Sequence, residues 1–290
     1  MGDLLKKKIR GLKIGITSSI LLALGSAPVI ANPVYINFEP GSSGQGSIGS
    51  GLNCSGNCPT LSTQFSRRGN GSMKSVVNRL TSETMYRTEA SHKISMDVNH
   101  GENTEEYWFG FSIYVPSPYP TLNQYTYEIF FQLHHSRPAD MSKSDFPSLS
   151  PPLQLSLRPG SSTGGDIQLV LRGTDEPLAK QSKKTEYAQF RGNIAKYSTN
   201  KWVDFVVNTK FDSGSKGMTQ IWVDGNLVFK YTGRNYYSGH GEAYPKFGMY
   251  NGWRTRNLNN EPVVQRTIFH DEYRAAWGKE GSYDAVAPGR

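Results

Sequence analysis

Cysteine is scarce in this sequence: the 290 residues contain two, and both lie in the stretch NCSGNC. A structural zinc site needs four ligands at suitable spacing, and no histidine or second cysteine pair lies close to these two. The scarcity therefore argues against a zinc site. We predict that no metal or cofactor is required, although the sequence does not show whether a structural calcium ion binds.

Long hydrophobic runs are missing as well. The stretch IGITSSILLALGSAPVIA, residues 14–31, is interrupted by Ser, Thr, Gly and Pro and falls short of the roughly 20 apolar residues that a membrane-spanning helix needs. It follows five basic residues and ends in a pattern that a signal peptidase reads. We predict that residues 1–31 are a signal peptide, removed after Ala31, and that the protein is secreted or periplasmic. A membrane anchor is the weaker alternative.

Export bears on the two cysteines. Thiols of exported proteins tend to be oxidised, and only three residues separate Cys54 from Cys58. We therefore predict that these two residues form a disulfide that closes a small loop.

Charge of one sign is not in large excess. The formal charge is +8 for the whole chain, and removal of the signal peptide leaves 27 basic and 23 acidic residues, a charge of +4. A nucleic-acid-binding protein would concentrate far more positive charge on one face. We therefore predict no nucleic-acid partner, no membrane partner after cleavage and a monomeric chain, while a locally basic groove stays possible.

The sequence shows no internal repeat or domain linker, and it has few long amphipathic helical stretches. Instead, short segments with alternating hydrophobic residues recur between Gly, Pro, Asn and Asp, which is typical of a β-sandwich. In YWFGFSIYV and LQLSLR, every second residue is hydrophobic, and Asp224-Gly225 is a hairpin-turn signal. We predict one domain over residues 32–290. Two polar insertions, residues 136–152 and 173–200, interrupt the strands, and the second is either a solvated loop or a flap over a groove.

The stretch EIFFQLHH, residues 128–135, alternates polar and hydrophobic side chains. Successive side chains of a strand point to opposite faces, so the pattern predicts that Ile129, Phe131 and Leu133 face a core. Glu128, Phe130, Gln132 and His134 would then share the other face. That face is expected to hold something polar.

Two further segments offer polar groups by the same rule. In YPKFGMYN, the residues Phe247 and Met249 would face the core. The outward residues are then Tyr244, Lys246, Gly248 and Tyr250, and in MYRTEA they are Arg87 and Glu89. If the three strands belong to one sheet, these groups line one concave surface.

The chemistry of this surface points away from hydrolysis. Cations and amide groups can neutralise a carboxylate, and a tyrosine and a histidine can transfer protons. A retaining glycosidase would need two carboxylates close together, and no Glu-x-Asp-x-x-Glu pattern occurs on a strand.

The motifs RTEA, QLH and YPKFGMY resemble, in the same order, the Arg-Thr-Glu-Leu, Gln-Ile-His and Tyr-Phe-Lys-Ala-Gly-x-Tyr motifs of jelly-roll alginate lyases. The segments EYWFGFSIYVP, KWVDFVV and IWVDGNLVF are similar to the heparin lyase I and glucuronan lyase group. This chain departs from the motifs by Ala90, by a second imidazole at His135 and by Pro245, which is unusual within a strand.

The resemblance implies an all-β, concanavalin-like jelly-roll β-sandwich with a concave substrate groove. It also implies a lyase that removes the C5 proton of a uronic acid and expels the glycosidic oxygen at C4. Arg87, Gln132 and His134 would neutralise the carboxylate. Tyr250 would protonate the leaving oxygen, and either Tyr250 or His134 would take the C5 proton.

The expected partner is an anionic polysaccharide, with alginate or glucuronan favoured. The alternatives are a heparin-type glycosaminoglycan and a non-catalytic carbohydrate-binding role. The residues expected to bind substrate are Lys246, Glu89, Tyr244, Arg158, Arg172 and Lys210. The other histidines, which have no such neighbours in the sequence, are expected to be structural or exposed: His92, His100, His240 and His270.

Overall fold

Alternating hydrophobic residues form short strands along most of the chain, and the strands pair in antiparallel fashion. A computed structural model describes residues 33–40, 52–78, 87–92, 94, 96, 98, 99, 102, 103, 105–120, 127–251 and 265–290. The predicted signal peptide and His100 lie outside these residues. From residue 32 to residue 290 the chain forms one compact unit.

The strands of the described residues, numbered along the chain, are β1 (Val34–Ile36), β2 (Leu52–Asn53), β3 (Thr60–Ser62), β4 (Ser72–Asn78), β5 (Arg87–His92), β6 (Val98–Asn99), β7 (Glu102–Asn103), β8 (Tyr107–Tyr114), β9 (Glu128–His135), β10 (Leu153–Ser161), β11 (Gly164–Arg172), β12 (Ala188–Ser198), β13 (Trp202–Lys210), β14 (Met218–Val223), β15 (Asn226–Thr232), β16 (Ala243–Asn251) and β17 (Gln265–Trp277). In the same described residues the helical segments are short: two 3₁₀ turns, Leu178–Lys180 and Gly278–Glu280, and helix α1 (Tyr283–Val286). No helix among the described residues has the length and hydrophobicity to cross a membrane.

Within the described ranges, the strands form two large sheets. The first sheet has the order β15-β14-β13-β8-β17-β4-β3, with β1 paired to β17. The second sheet has the order β12-β11-β10-β9-β16-β5-β2, and β6 and β7 form a small separate pair. The two sheets pack face to face, as rings of β8 such as Phe111 stack on Phe131 of β9 at 4.6 Å between centroids. The predicted all-β sandwich is confirmed.

Two local predictions also hold. Asp224 and Gly225 join β14 to β15 in a two-residue turn, and both have positive φ, 47° and 79°, as the tight hairpin requires. Cys54 and Cys58 form a disulfide with an S–S distance of 2.08 Å.

The insertion 173–200 is only partly a loop. Its second half is β12, the outermost strand of the second sheet. The first half, residues 173–187, contains the 3₁₀ turn Leu178–Lys180. The charged residues are compatible with a strand here because β12 lies at the edge of the sheet, where its side chains, apart from the buried Tyr197, are intermediate or exposed.

Strand β9 breaks the predicted alternation at Phe130. On β10, Leu155 stands opposite Phe131 and the next residue, Ser156, stands opposite Ile129, so Phe130 is an extra residue. Such a bulge interrupts the alternation, so the side chains on one side of it take the face opposite to the predicted one. Phe130 therefore joins Phe131 in the core, and Ile129 turns to the outer face. The prediction that Ile129 faces the core and Phe130 faces outward is wrong.

Glu128 also changes face because of the bulge. It is fully buried between the sheets, where it forms an ion pair with Arg266 of β17 and accepts a hydrogen bond from the Tyr119 hydroxyl at 3.3 Å. The prediction that Glu128 lies beside Gln132 is therefore wrong. Its carboxylate ties the second sheet to the first.

This buried pair should be costly to break. Replacing Arg266→Met leaves the Glu128 charge without its cation, and we expect the free energy of unfolding, measured in urea, to fall by about 3–5 kcal/mol. The double variant Glu128→Gln, Arg266→Met should recover part of this loss. As a control, Arg290→Met removes an exposed ion pair with Asp284 and should cost less than about 1 kcal/mol. Equal losses in the two single variants would contradict the prediction.

Candidate functional site

Three neighbouring strands of the second sheet, β9, β16 and β5, bring the predicted site residues together. Residues directly opposite each other on antiparallel strands share a face of the sheet. Tyr250 stands opposite Arg87, Lys246 opposite Gln132, and Tyr244 opposite His134. We call the face that carries these six side chains, which points away from the core, the site face.

Gly248 allows Tyr250 to reach the site face. Its φ is 136°, which side-chain-bearing residues rarely adopt. A Cβ at this position would lie 2.3 Å from the carbonyl oxygen of Thr88. Gly248 and Met249 stand together opposite the single residue Phe130, so the irregularity requires a glycine here.

Pro245 fits the strand without loss of pairing. It stands opposite Leu133 of β9, while the pairing of β16 with β5 runs only from Lys246 to Tyr250. Among the pairings of the described residues, Pro245 therefore has a partner on one side only, where a missing N–H is tolerated.

Glu89 is the centre of a charged cluster. Its side chain is 3% exposed, and its Oε1 accepts a hydrogen bond from Nε2 of Gln132 at 2.5 Å. Its Oε2 lies 3.3 Å from Nζ of Lys246 and 3.8 Å from Nε of Arg87. Both carboxylate oxygens are thus engaged within the protein. The cluster of one carboxylate and two cations keeps a net positive charge and orients the Gln132 amide.

His134 is held as a neutral base. Its Nδ1 lies 2.8 Å from the carbonyl oxygen of His135, and because that oxygen can only accept, Nδ1 carries the hydrogen. Nε2 then has the lone pair. Burial is the main cause that lowers the pKa of His134 to about 4. The hydrogen bond to the His135 carbonyl oxygen opposes this shift, and the charges of Lys246, Arg87 and Lys183 contribute to it.

Two tyrosines flank this base. The Tyr244 hydroxyl lies 3.5 Å from Nδ1 of His134, and burial raises the pKa of Tyr244, with a smaller contribution from Glu89. The guanidinium of Arg87 lies over the Tyr250 ring at 5.4 Å from its centroid. The site face thus combines a neutral imidazole and two phenols with a cationic cluster.

The predicted substrate-binding arginines lie on the same sheet but further along it. Arg172 of β11 is 7% exposed, and its guanidinium donates to the carbonyl oxygen of Pro151 and to Oε1 of Gln154. Arg158 of β10 lies over the ring of Tyr127 at 5.2 Å. The charge of Arg191, on β12, lowers the pKa of both arginines, after burial as the main cause. Arg191 was not among the predicted residues.

Lys210 does not belong to this surface. It is the last residue of β13, which lies in the first sheet. The prediction that it contributes to the same basic groove is wrong. Alternation identifies the polar side of a strand, but it does not identify the sheet that the strand joins.

The 173–187 loop also contributes charge. Lys183 donates to the Ser150 hydroxyl at 2.9 Å and lies 3.2 Å from Glu186. It is close enough to lower the pKa values of His134 and His135. Among the described residues, no group of three or more His, Cys, Asp or Glu side chains is arranged to hold a metal ion.

Comparisons with known proteins agree with this geometry. A family model described as polysaccharide lyase matches residues 44–274. A search of curated protein sequences found no match.

The solved structures that are similar to this chain include three lyases. An endo-β-1,4-glucuronan lyase from the fungus Trichoderma reesei has a TM-score of 0.56 and 13% identity, and the match covers 90% of this chain and 100% of that one. A marine alginate lyase from Aplysia kurodai has a TM-score of 0.53 and 12% identity, with 85% and 99% covered. A variant alginate lyase bound to an alginate trisaccharide has a TM-score of 0.50 and 14% identity, with 84% and 98% covered. At these identities the likenesses show the fold, a jelly-roll β-sandwich.

Proposed function

The chain belongs to the polysaccharide lyase family, and from this premise we propose that it cleaves a uronic-acid-containing polysaccharide by β-elimination, with alginate or glucuronan as the favoured substrate. The observation that carries the proposal is the pairing, on one face, of a cationic cluster with a neutral histidine and a tyrosine. The structural relatives named above are described as glucuronan and alginate lyases, which supports this ranking.

The cationic cluster suits the first requirement of the reaction. The C5 proton of a uronate is weakly acidic because the neighbouring carboxylate is negative, so that charge must be neutralised and the enolate-like state stabilised. Arg87 has the more exposed side chain of the two cations, 44% against 15% for Lys246. We assign Arg87 to direct contact with the carboxylate and Gln132 to a hydrogen bond that strengthens as negative charge develops.

Proton transfer falls to His134 and Tyr250. The lone pair on Nε2 of His134 accepts the C5 proton, and the hydroxyl of Tyr250 gives a proton to the leaving oxygen at C4. Glu89, predicted as a substrate ligand, serves instead to hold Gln132, Lys246 and Arg87, since both of its oxygens are occupied by them.

Export is part of the proposal. The pattern of residues 1–31 is that of a signal peptide, and the Cys54–Cys58 disulfide suits an oxidising compartment. A protein acting on an extracellular polymer would need to leave the cytoplasm.

A substrate panel tests the function. We expect the purified protein to release products with a conjugated double bond, detected by ultraviolet absorbance, from alginate or glucuronan. Hyaluronan, chondroitin and heparin complete the panel, and a neutral glucan is the control. Binding without unsaturated products would favour a carbohydrate-binding module, and saturated ends would indicate a hydrolase.

Heparin is the specific competitor. The basic residues Arg191 and Lys183, which lie near Arg172 and His134 respectively, are additional cations that sulfate groups could use. Cleavage confined to heparin would overturn the ranking of substrates and leave the elimination mechanism in place.

The pH dependence follows from the state of His134. The base must be neutral, and burial lowers its pKa to about 4 from an ordinary value of 6.5. We expect kcat/KM, which reports the free enzyme, to stay high as the pH falls through 6.5 and to decline only near pH 4. A bound carboxylate favours the protonated form, so the corresponding decline in kcat should lie at higher pH. Circular dichroism at each pH separates this decline from unfolding. A decline of kcat/KM centred near 6.5 would contradict the assignment.

A further inference from the structure

A buried pair of histidines lies at the end of β9, behind the site face. His135 is 3% exposed and His240 is 1% exposed. Their Nδ1 atoms are 2.9 Å apart, so a hydrogen bond joins the two rings. No sequence pattern links them, because they are 105 positions apart along the chain.

The direction of this hydrogen bond follows from Gln181, the residue after the 3₁₀ turn Leu178–Lys180. Its Nε2 donates to the carbonyl oxygens of Glu176, at 2.8 Å, and Ser238, at 2.7 Å, which uses both amide hydrogens. Its Oε1 lies 2.7 Å from Nε2 of His240 and accepts a hydrogen bond there. Nε2 of His240 therefore carries the hydrogen.

The tautomers of both rings are then determined. A neutral imidazole has one N–H and one lone pair, so Nδ1 of His240 accepts and Nδ1 of His135 donates. Nε2 of His135 then has the lone pair, and its 3.4 Å contact with the carbonyl oxygen of Leu149 is not a hydrogen bond. The shorter contacts of His240, at 2.7 Å and 2.9 Å, decide the direction. Burial lowers the pKa of His240 to about 3 and the pKa of His135 well below its ordinary value. Both rings are thus neutral at pH 7. The hydrogen bonds run in one direction: His135 donates to His240, and His240 donates to Gln181.

His135 in turn contacts His134 in two ways. The two rings stack, with centroids 4.9 Å apart and an interplanar angle of 21°. The carbonyl oxygen of His135 accepts the hydrogen bond from Nδ1 of His134. The orientation of His134 therefore depends on where His135 is held.

We propose that Gln181 and His240 are positioning residues, which hold His135 and through it keep His134 in the tautomer and orientation that accept a proton at Nε2. This inference rests on the proposed function, in which His134 is the base. It also gives the polar insertion a role in the reaction, because Gln181 belongs to the 173–187 loop. The 136–152 loop takes part as well, since Phe146 packs on the rings of His135 and His240.

Nitrogen-15 NMR of the histidine-labelled protein tests the chain directly, because it reports which ring nitrogen carries the hydrogen. We expect the hydrogen on Nε2 of His240 and on Nδ1 of His135 and His134. A hydrogen on Nδ1 of His240 would overturn the proposal. The measurement needs no substrate, so it is independent of whether any polyuronate is cleaved.

A matched pair of variants tests the effect on the reaction. His240→Phe keeps a ring but removes the acceptor for His135, and we expect kcat to fall about 10- to 100-fold, since small misplacements of a reacting group are costly. His240→Asn places a side-chain oxygen near the position of Nδ1 and should keep most of the activity. Gln181→Met, which removes the amide, should lower kcat in the same direction as His240→Phe. KM should change little in all three variants.

His92→Asn is the control for loss of a buried histidine. His92 is 6% exposed and contacts the Tyr273 hydroxyl at 3.1 Å, away from His134. This variant should lower the midpoint of thermal unfolding while kcat stays unchanged. Unchanged kcat in His240→Phe, or equal losses in His240→Phe and His240→Asn, would refute the positioning role. A wild-type protein that cleaves no polyuronate would instead refute the proposed function.

Discussion

Replacing Tyr250→Phe is expected to lower kcat by about 10²- to 10⁴-fold, the range for a positioned proton donor. The change removes one hydroxyl and keeps the ring that lies under the Arg87 guanidinium, so packing should be preserved. His134→Gln should cause a loss in the same range because it removes the proton acceptor. Initial rates of unsaturated product formation, with thermal unfolding as a check on the fold, measure both effects.

Tyr244→Phe is the matched control. Tyr244 also lies on the site face, opposite His134, but its hydroxyl points to Nδ1, the nitrogen that already donates to a carbonyl oxygen. We expect a small effect on kcat. If Tyr250→Phe kept near-native turnover and Tyr244→Phe did not, the role of proton donor would pass to Tyr244. If His134→Gln stayed active while Tyr250→Phe did not, Tyr250 would serve as both acid and base.

The sequence predicted the fold and most of the site face because both depend on local patterns. Alternation identifies which side of each strand is hydrophobic, and the three motifs supplied the pairing of β5, β9 and β16 through their resemblance to known lyases. Gln132, Lys246 and Arg87 were placed correctly on one face for this reason. Their common partner Glu89 was also recognised, but not its role, because its burial depends on the neighbouring strands.

In β9, the predicted faces of several side chains are wrong because one extra residue interrupts the alternation. The bulge at Phe130 cannot be read from EIFFQLHH, since every residue there suits a regular strand. It moves Glu128 into the core, where Arg266 compensates its charge. That partner lies 138 positions later in the sequence, in the other sheet, and no local rule connects the two.

Contacts between distant loops were also beyond the sequence. His240 and Gln181 lie in irregular segments, and their hydrogen bond brings together two loops that follow different strands. The partners of a buried imidazole are set by tertiary packing, because most buried polar atoms are hydrogen-bonded to groups that the fold brings close. Lys210 is a similar case. Its polar position on a strand predicted a groove residue, but its strand β13 belongs to the other sheet.

Arg87→Met is expected to lower kcat by about 10²- to 10³-fold, the loss typical of removing one group that stabilises developing negative charge. Arg87 is the more exposed cation of the Glu89 cluster, and a bound carboxylate would meet it first. Arg87→Lys keeps the charge but loses the planar fork that binds two carboxylate oxygens, so its loss should be intermediate. Rates at saturating substrate separate kcat from KM.

Arg158→Met provides the comparison on the same sheet. Arg158, on β10, lies over Tyr127, and β9 separates this strand from β16 and Tyr250, so its loss should raise KM and leave kcat nearly unchanged. The same pattern in Arg87→Met would mean that Arg87 binds substrate and transition state equally. The double variant Arg87→Met, Tyr250→Phe tests whether Arg87 and Tyr250 act independently. If they do, the fold losses in kcat of the two single variants should multiply. A combined loss no larger than that of Tyr250→Phe alone would mean that Arg87 acts by holding the Tyr250 ring.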